Sequence, residues 1–180
     1  MTTYNEMQTL KRRLFAMRNG ALAENMRRQG AKYRIIFGVN LPQLIEIASE
    51  TPKSVQLAQA LWDNQTTRES MLIAPMLYPR EKFDIEVARK WIATVPTAEV
   101  CDIFCHKLLR YMNYALQIVS EIKDSENEME RYTAIRLLFN LLPKNLDYAY
   151  EVAKNEVERK SQLTEQLCRM LIDEIEFLRD

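Results

Sequence analysis

The chain has 180 residues, enough for a sizeable core, with 47% hydrophobic and 28% charged side chains but only 3 Gly and 6 Pro. That supply of helix formers argues against a β-rich fold, and no apolar run reaches the about 18 residues a membrane span needs. The formal net charge of zero hides an asymmetry: residues 1–40 carry eight basic and two acidic side chains, a net +6, and the other 140 carry 17 basic and 23 acidic, a net −6.

The opening MTTYNEMQTLKRRLF has no apolar signal region. Three cysteines do not read as a disulfide framework. Both point to a soluble, reduced, cytoplasmic protein with no membrane partner. The first helical stripe, Leu10, Leu14, Met17, Ala21 and Leu22, carries Arg12, Arg13 and Arg18 off its apolar side, and Gly30 is expected to end this helix. Together with Arg27, Arg28 and Lys32 these side chains fit two readings, contacts to an anionic polymer or a solvated face that pairs with acids elsewhere in the fold.

YRIIFGVN (33–40) reads as a short connection. Residues 41–50 then put Pro42 in a first turn, and Thr51 with Pro52 reads as the cap and first turn of the next helix. Pro75 is expected to kink or end its helix. Further helices follow over REKFDIEVARKWIATV, TAEVCDIFCHKLL, YMNYALQIVSEIK, NEMERYTAIRLLFNLL, NLDYAYEVAKNEVERK and SQLTEQLCRMLIDEIEFLRD. Trp62, Trp91 and most methionines fall on the apolar stripes. Nine or ten helices of 10 to 16 residues, joined by short turns, predict one all-α domain over 1–180, an α-solenoid (superhelix) of antiparallel helix pairs.

The stretch TAEVCDIFCHKLL (97–109) concentrates the chemistry, with Thr97 as its cap. Cys101 and Cys105 share a helix face, but His106 lies about 100° further round and Cys168 stands alone, which makes a poor metal set. Cys105 and His106 point apart, so neither serves the other as nucleophile and base. Asp102 sits one turn into the helix, where His106 at i+4 can hydrogen-bond it and hold it. It reads either as an ordinary solvated carboxylate or as a charge aimed at a ligand. Arg131 and Arg136, flanking TAI, read on spacing as surface arginines, which does not by itself indicate a phosphate contact. No phosphate-binding loop, HExxH, GxSxG or CxxC occurs.

Four ordered stretches, YRIIFGVNLPQLIEIASE, AQALWDNQTTRESMLIAPMLY, ARKWIATVPTAEVCDIFCHKLL and ERYTAIRLLFNLL, resemble the DNA alkylation repair family, the AlkD-like HEAT-repeat proteins. The resemblance covers about residues 30–142. It implies a curved stack of HEAT-like helix pairs and double-stranded DNA as partner. It also implies a candidate DNA glycosylase that releases cationic alkylated purines without metal or cofactor. Such a substrate is already a good leaving group, so one carboxylate suffices to stabilise the sugar cation. The family's carboxylate falls on Asp102; with DNA as partner, His106 at i+4 and Tyr132 become its support, and the basic side chains Arg12, Arg13, Arg27, Arg28, Lys32, Arg131 and Arg136 the DNA contacts. Ala98 stands where the family has a tryptophan, Tyr132 where it has an arginine, and no tryptophan follows Trp91. These departures suit the alternative of a non-catalytic helical scaffold for a protein partner.

Overall fold

The structure, a computed structural model, describes residues 3–179. Among these the chain is all-helical, with eleven α-helices and one isolated parallel bridge between Ile35 and Thr67. It divides into two compact units, one ending at Phe83 and the other beginning at Asp84. None of the described helices is long and apolar enough to cross a membrane.

The first unit holds α1 (Thr3–Ala16), α2 (Gly20–Arg28), α3 (Leu41–Ser49), α4 (Val55–Asp63) and α5 (Arg68–Leu77). The single helix expected up to Gly30 is instead broken before Gly20. Asn19 caps α2 by accepting from the Leu22 N–H at 3.0 Å, and its own N–H donates to the Phe37 carbonyl at 2.8 Å. Gly38 passes so close here that a Cβ would lie 2.1 Å from the Asn19 carbonyl oxygen, and its φ is +73. A side chain at residue 38 would therefore forbid this crossing. Gly30, with φ +97, follows the end of α2.

The cap of α4 is Ser54 rather than Thr51: Ser54 Oγ accepts from the Leu57 N–H at 3.2 Å, while the Thr51 hydroxyl donates back to the Ile47 carbonyl at 2.6 Å. Pro75 lies inside α5, which ends two residues later. The buried α5 begins with a charged pair, Arg68 at 4% and Glu69 at 0% exposure. The Glu69 carboxylate accepts from the backbone N–H groups of Phe37, Gly38 and Val39, at 3.1, 2.9 and 3.3 Å. Arg68 Nη1 donates to Glu69 at 3.0 Å and to the Val39 carbonyl at 3.1 Å. The 33–40 connection is thus clamped onto α5 by charge-assisted bonds that satisfy its backbone.

The second unit holds α6 (Ile85–Ile92), α7 (Ala98–Lys107), α8 (Ala115–Ile122), α9 (Glu128–Asn140), α10 (Leu146–Glu158) and α11 (Glu165–Arg179). Thr97 caps α7, its Oγ1 accepting from the Val100 N–H at 3.3 Å, as the sequence predicts. Consecutive helices pack as pairs, α8 with α9 and α10 with α11, and α9 also touches α7. Covered on several sides, α9 buries a run from Arg131 to Ile135 and then Leu137 and Leu138. Each unit keeps its predicted tryptophan in the core: Trp62 and Trp91 are 2% and 1% exposed. The methionines differ from expectation. Met71 is fully buried, Met170 is half exposed, and the other described ones are intermediate.

Candidate nucleic-acid interface

In the second unit α7 and α9 lie side by side in the same direction, and every fourth residue of each faces the other. Asp102 meets Tyr132 and Arg136, and one turn on His106 meets Asn140. The Asp102 carboxylate receives three hydrogen bonds. Arg136 Nε donates to Oδ1 at 2.6 Å, Arg136 Nη2 to Oδ2 at 3.1 Å, and the Tyr132 hydroxyl to Oδ1 at 2.9 Å. The pair reaches solvent, with side-chain exposures of 36% for Asp102 and 23% for Arg136.

This bidentate fork is the strong form of an ion pair. Burial opposes the Arg136 charge, but the hydrogen bond with Tyr132 and the Asp102 carboxylate outweigh it and raise the guanidinium pKa. Burial first, then the Asp102 charge, pushes the Tyr132 phenol up to about 12 against the pull of Arg136, so the phenol stays a donor. Chemically, the cluster is a neutralised carboxylate whose arginine still has N–H groups to offer a third party.

His106 does not hold Asp102 as its spacing suggests. Its Nδ1 lies 3.1 Å from Asn140 Oδ1 and 3.1 Å from Arg110 Nη1. A guanidinium and a phenol already fill the Asp102 acceptors, and a planar two-donor fork fits a carboxylate better than one ring nitrogen. Arg131 is likewise not at the surface. It is 7% exposed, with Nε at 3.1 and 3.0 Å from the two Glu156 oxygens and Nη1 donating to the Ser125 carbonyl at 2.7 Å. Thr164 completes the Glu156 shell at 2.8 Å. A phosphate contact from Arg131 would require breaking this buried pair, so the side chain is structural.

The cysteines are packing residues. Cys101, Cys105 and Cys168 are all fully buried. Cys101 Sγ lies 3.2 Å from Thr133 Oγ1, and burial pushes the Cys105 thiol well above its ordinary value. Among the described residues, no group of three or more His, Cys, Asp and Glu is placed to hold a metal ion.

In the first unit Arg12, Arg27, Arg28 and Lys32 are exposed, and Arg13 is half-buried in an ion pair with Glu50. The Arg27 guanidinium also donates to the carbonyls of Tyr33 and Arg34, Nη1 at 3.2 and Nη2 at 3.5 Å, which ties its head to the backbone of the 33–37 segment. Arg18, which the sequence places off the apolar stripe, and Arg34, which it counts only in the charge of this segment, are exposed as well. Sequence spacing held no sign that the 33–37 segment folds back beside α1 and α2.

The family model described as DNA alkylation repair enzyme matches residues 10–179. No curated protein matches the chain. A solved structure of "a new family of proteins related to the HEAT-like repeat DNA glycosylases with affinity for branched DNA structures" superposes with a TM-score of 0.80. It is 16% identical, and the match covers 91% of this chain and 73% of that one. At this identity the likeness establishes the HEAT-like helical fold.

Proposed function

Since the chain belongs to the DNA alkylation repair enzyme family, we propose that it binds double-stranded DNA through its phosphates and does not excise bases. Arg12, Arg27, Arg28 and Lys32 of the first unit and Arg136 of the second supply the phosphate contacts. Asp102 serves to position Arg136. The observation that carries this reading is the bidentate Asp102–Arg136 pair. A carboxylate that faces a developing sugar cation must offer its negative charge. Here a guanidinium cancels that charge, and Ala98 leaves no aromatic face beside it for a cationic base.

The arginine side of the pair suits a phosphate. A guanidinium held by a carboxylate on one edge presents its remaining donors in a fixed direction, at lower entropic cost than a free side chain. The related structure's affinity for branched DNA supports the same class of partner. The three buried thiols suit a reducing cytoplasm. Duplex affinity measured against salt concentration tests the reading: phosphate contacts make it fall steeply and linearly on logarithmic axes. A chain that binds no duplex at low salt overturns the duplex reading.

A further inference from the structure

A pocket of about 280 Å³ opens in the first unit between the end of α1, both ends of α2 and the 34–37 segment. That is just under the range of small-molecule sites, about 300–1,000 Å³, so it suits one nucleotide and not a duplex. Its described lining holds three arginines, Arg18, Arg27 and Arg34, and no acidic side chain. Between them stands an apolar wall with two exposed members, Phe15 at 56% and Ile35 at 41%. The Arg18 guanidinium lies 3.9 Å from the centre of the Phe15 ring and donates to the Phe15 carbonyl at 2.9 Å, which fixes a planar cation on an aromatic face.

A half-exposed aromatic beside cations, with no acid in the described lining, suits a ligand that is flat and anionic at once. Single-stranded nucleic acids are held in this way, with bases stacked on aromatic or guanidinium planes and phosphates on basic side chains. We propose that this pocket takes one unpaired nucleotide of a DNA strand, its base stacked on the Phe15–Arg18 pair and its phosphate between Arg27 and Arg34. The assignment rests on DNA as the partner of this chain and adds what the duplex reading lacks, a preference for DNA with unpaired nucleotides. The pocket's floor is fixed by structure already described: the Gly38 crossing and the Glu69 clamp hold the 33–40 segment in place.

Fluorescence anisotropy with the full chain tests it, using a blunt duplex, the same duplex with a single-stranded overhang, and thymidine monophosphate as competitor. The overhang should tighten binding about tenfold. Phe15→Leu, which keeps apolar bulk but loses the ring, should erase that preference and leave blunt-duplex affinity unchanged. Phe15→Tyr should restore it. Equal binding of both duplexes, or a preference that survives Phe15→Leu, overturns the pocket and leaves the duplex reading standing. Binding of the overhang strand through Phe15 with no blunt-duplex binding sinks the duplex reading and supports the pocket. Thymidine monophosphate bound as tightly as the strand overturns the strand assignment, and no nucleic acid bound at all overturns both.

Discussion

Arg136 grips the Asp102 carboxylate by both oxygens, at 2.6 and 3.1 Å, while the Tyr132 hydroxyl adds a third bond at 2.9 Å. Two helices of the second unit are thereby joined through one acid. The charge that resemblance assigns to catalysis is paired with a neighbour, and both partners reach solvent, Asp102 at 36% and Arg136 at 23% side-chain exposure. The consequences reach activity, titration and stability.

Release of methylated purines is the first. On a methylated duplex the wild-type chain should free base no faster than the spontaneous reaction, and Asp102→Asn should not change the rate. Chromatographic counting of released base decides it. Faster release by the wild type that disappears in Asp102→Asn would make Asp102 a catalytic residue after all.

Tyr132 should be a late-titrating phenol. Its folded pKa, about 12, lies above the ordinary value of 10. The folded state therefore keeps a proton that the unfolded state releases, so Tyr132 contributes stability that is present below about pH 10 and lost as pH rises toward 12. Tyrosinate absorbance of the wild type minus that of Tyr132→Phe should show a single step near pH 12. A step near 10 would mean that the phenol is neither buried nor beside the Asp102 charge.

Glu69 should be among the costliest positions in the first unit. Glu69→Gln keeps one acceptor oxygen, but with that oxygen toward Gly38 and Val39 its amide N–H₂ faces the Phe37 N–H, and the negative charge that the 4%-exposed Arg68 donates to is lost. Breaking one side of a buried pair costs about 3 kcal/mol or more. Urea unfolding should show a correspondingly lower midpoint with an unchanged slope. A loss below about 0.5 kcal/mol would mean that the clamp does not hold the 33–40 segment.

The fold was legible where local chemistry decides it. Thr97 caps α7 as read, both tryptophans are core, and the apolar stripes give the helices. Errors arose where a distant group chooses between two plausible local signals. Thr51 and Ser54 are both good caps. Ser54 wins because its N–H is tied to the Leu77 carbonyl at 3.1 Å, which no local window reveals. The stripe through Met17 hides the break before Gly20, imposed by the Phe37 carbonyl on Asn19. Asp102 is marked in its own turn only as a solvated carboxylate or a charge aimed at a ligand, and it takes the resemblance to favour the second reading. Its partner is 34 residues away, although Tyr132 and Arg136 at i,i+4 do share a face that could have been read as one unit. Arg131 looked like a surface residue because Glu156, which buries it, lies 25 residues on.

The most direct test of phosphate binding by the Asp102-held arginine is duplex affinity across a salt series for the wild type and Arg136→Gln. The wild type should show a steep negative slope of log affinity against log salt, and Arg136→Gln should flatten it by about 0.9, the loss of one phosphate contact. An unchanged slope in Arg136→Gln, or no duplex binding by the wild type at low salt, would contradict it.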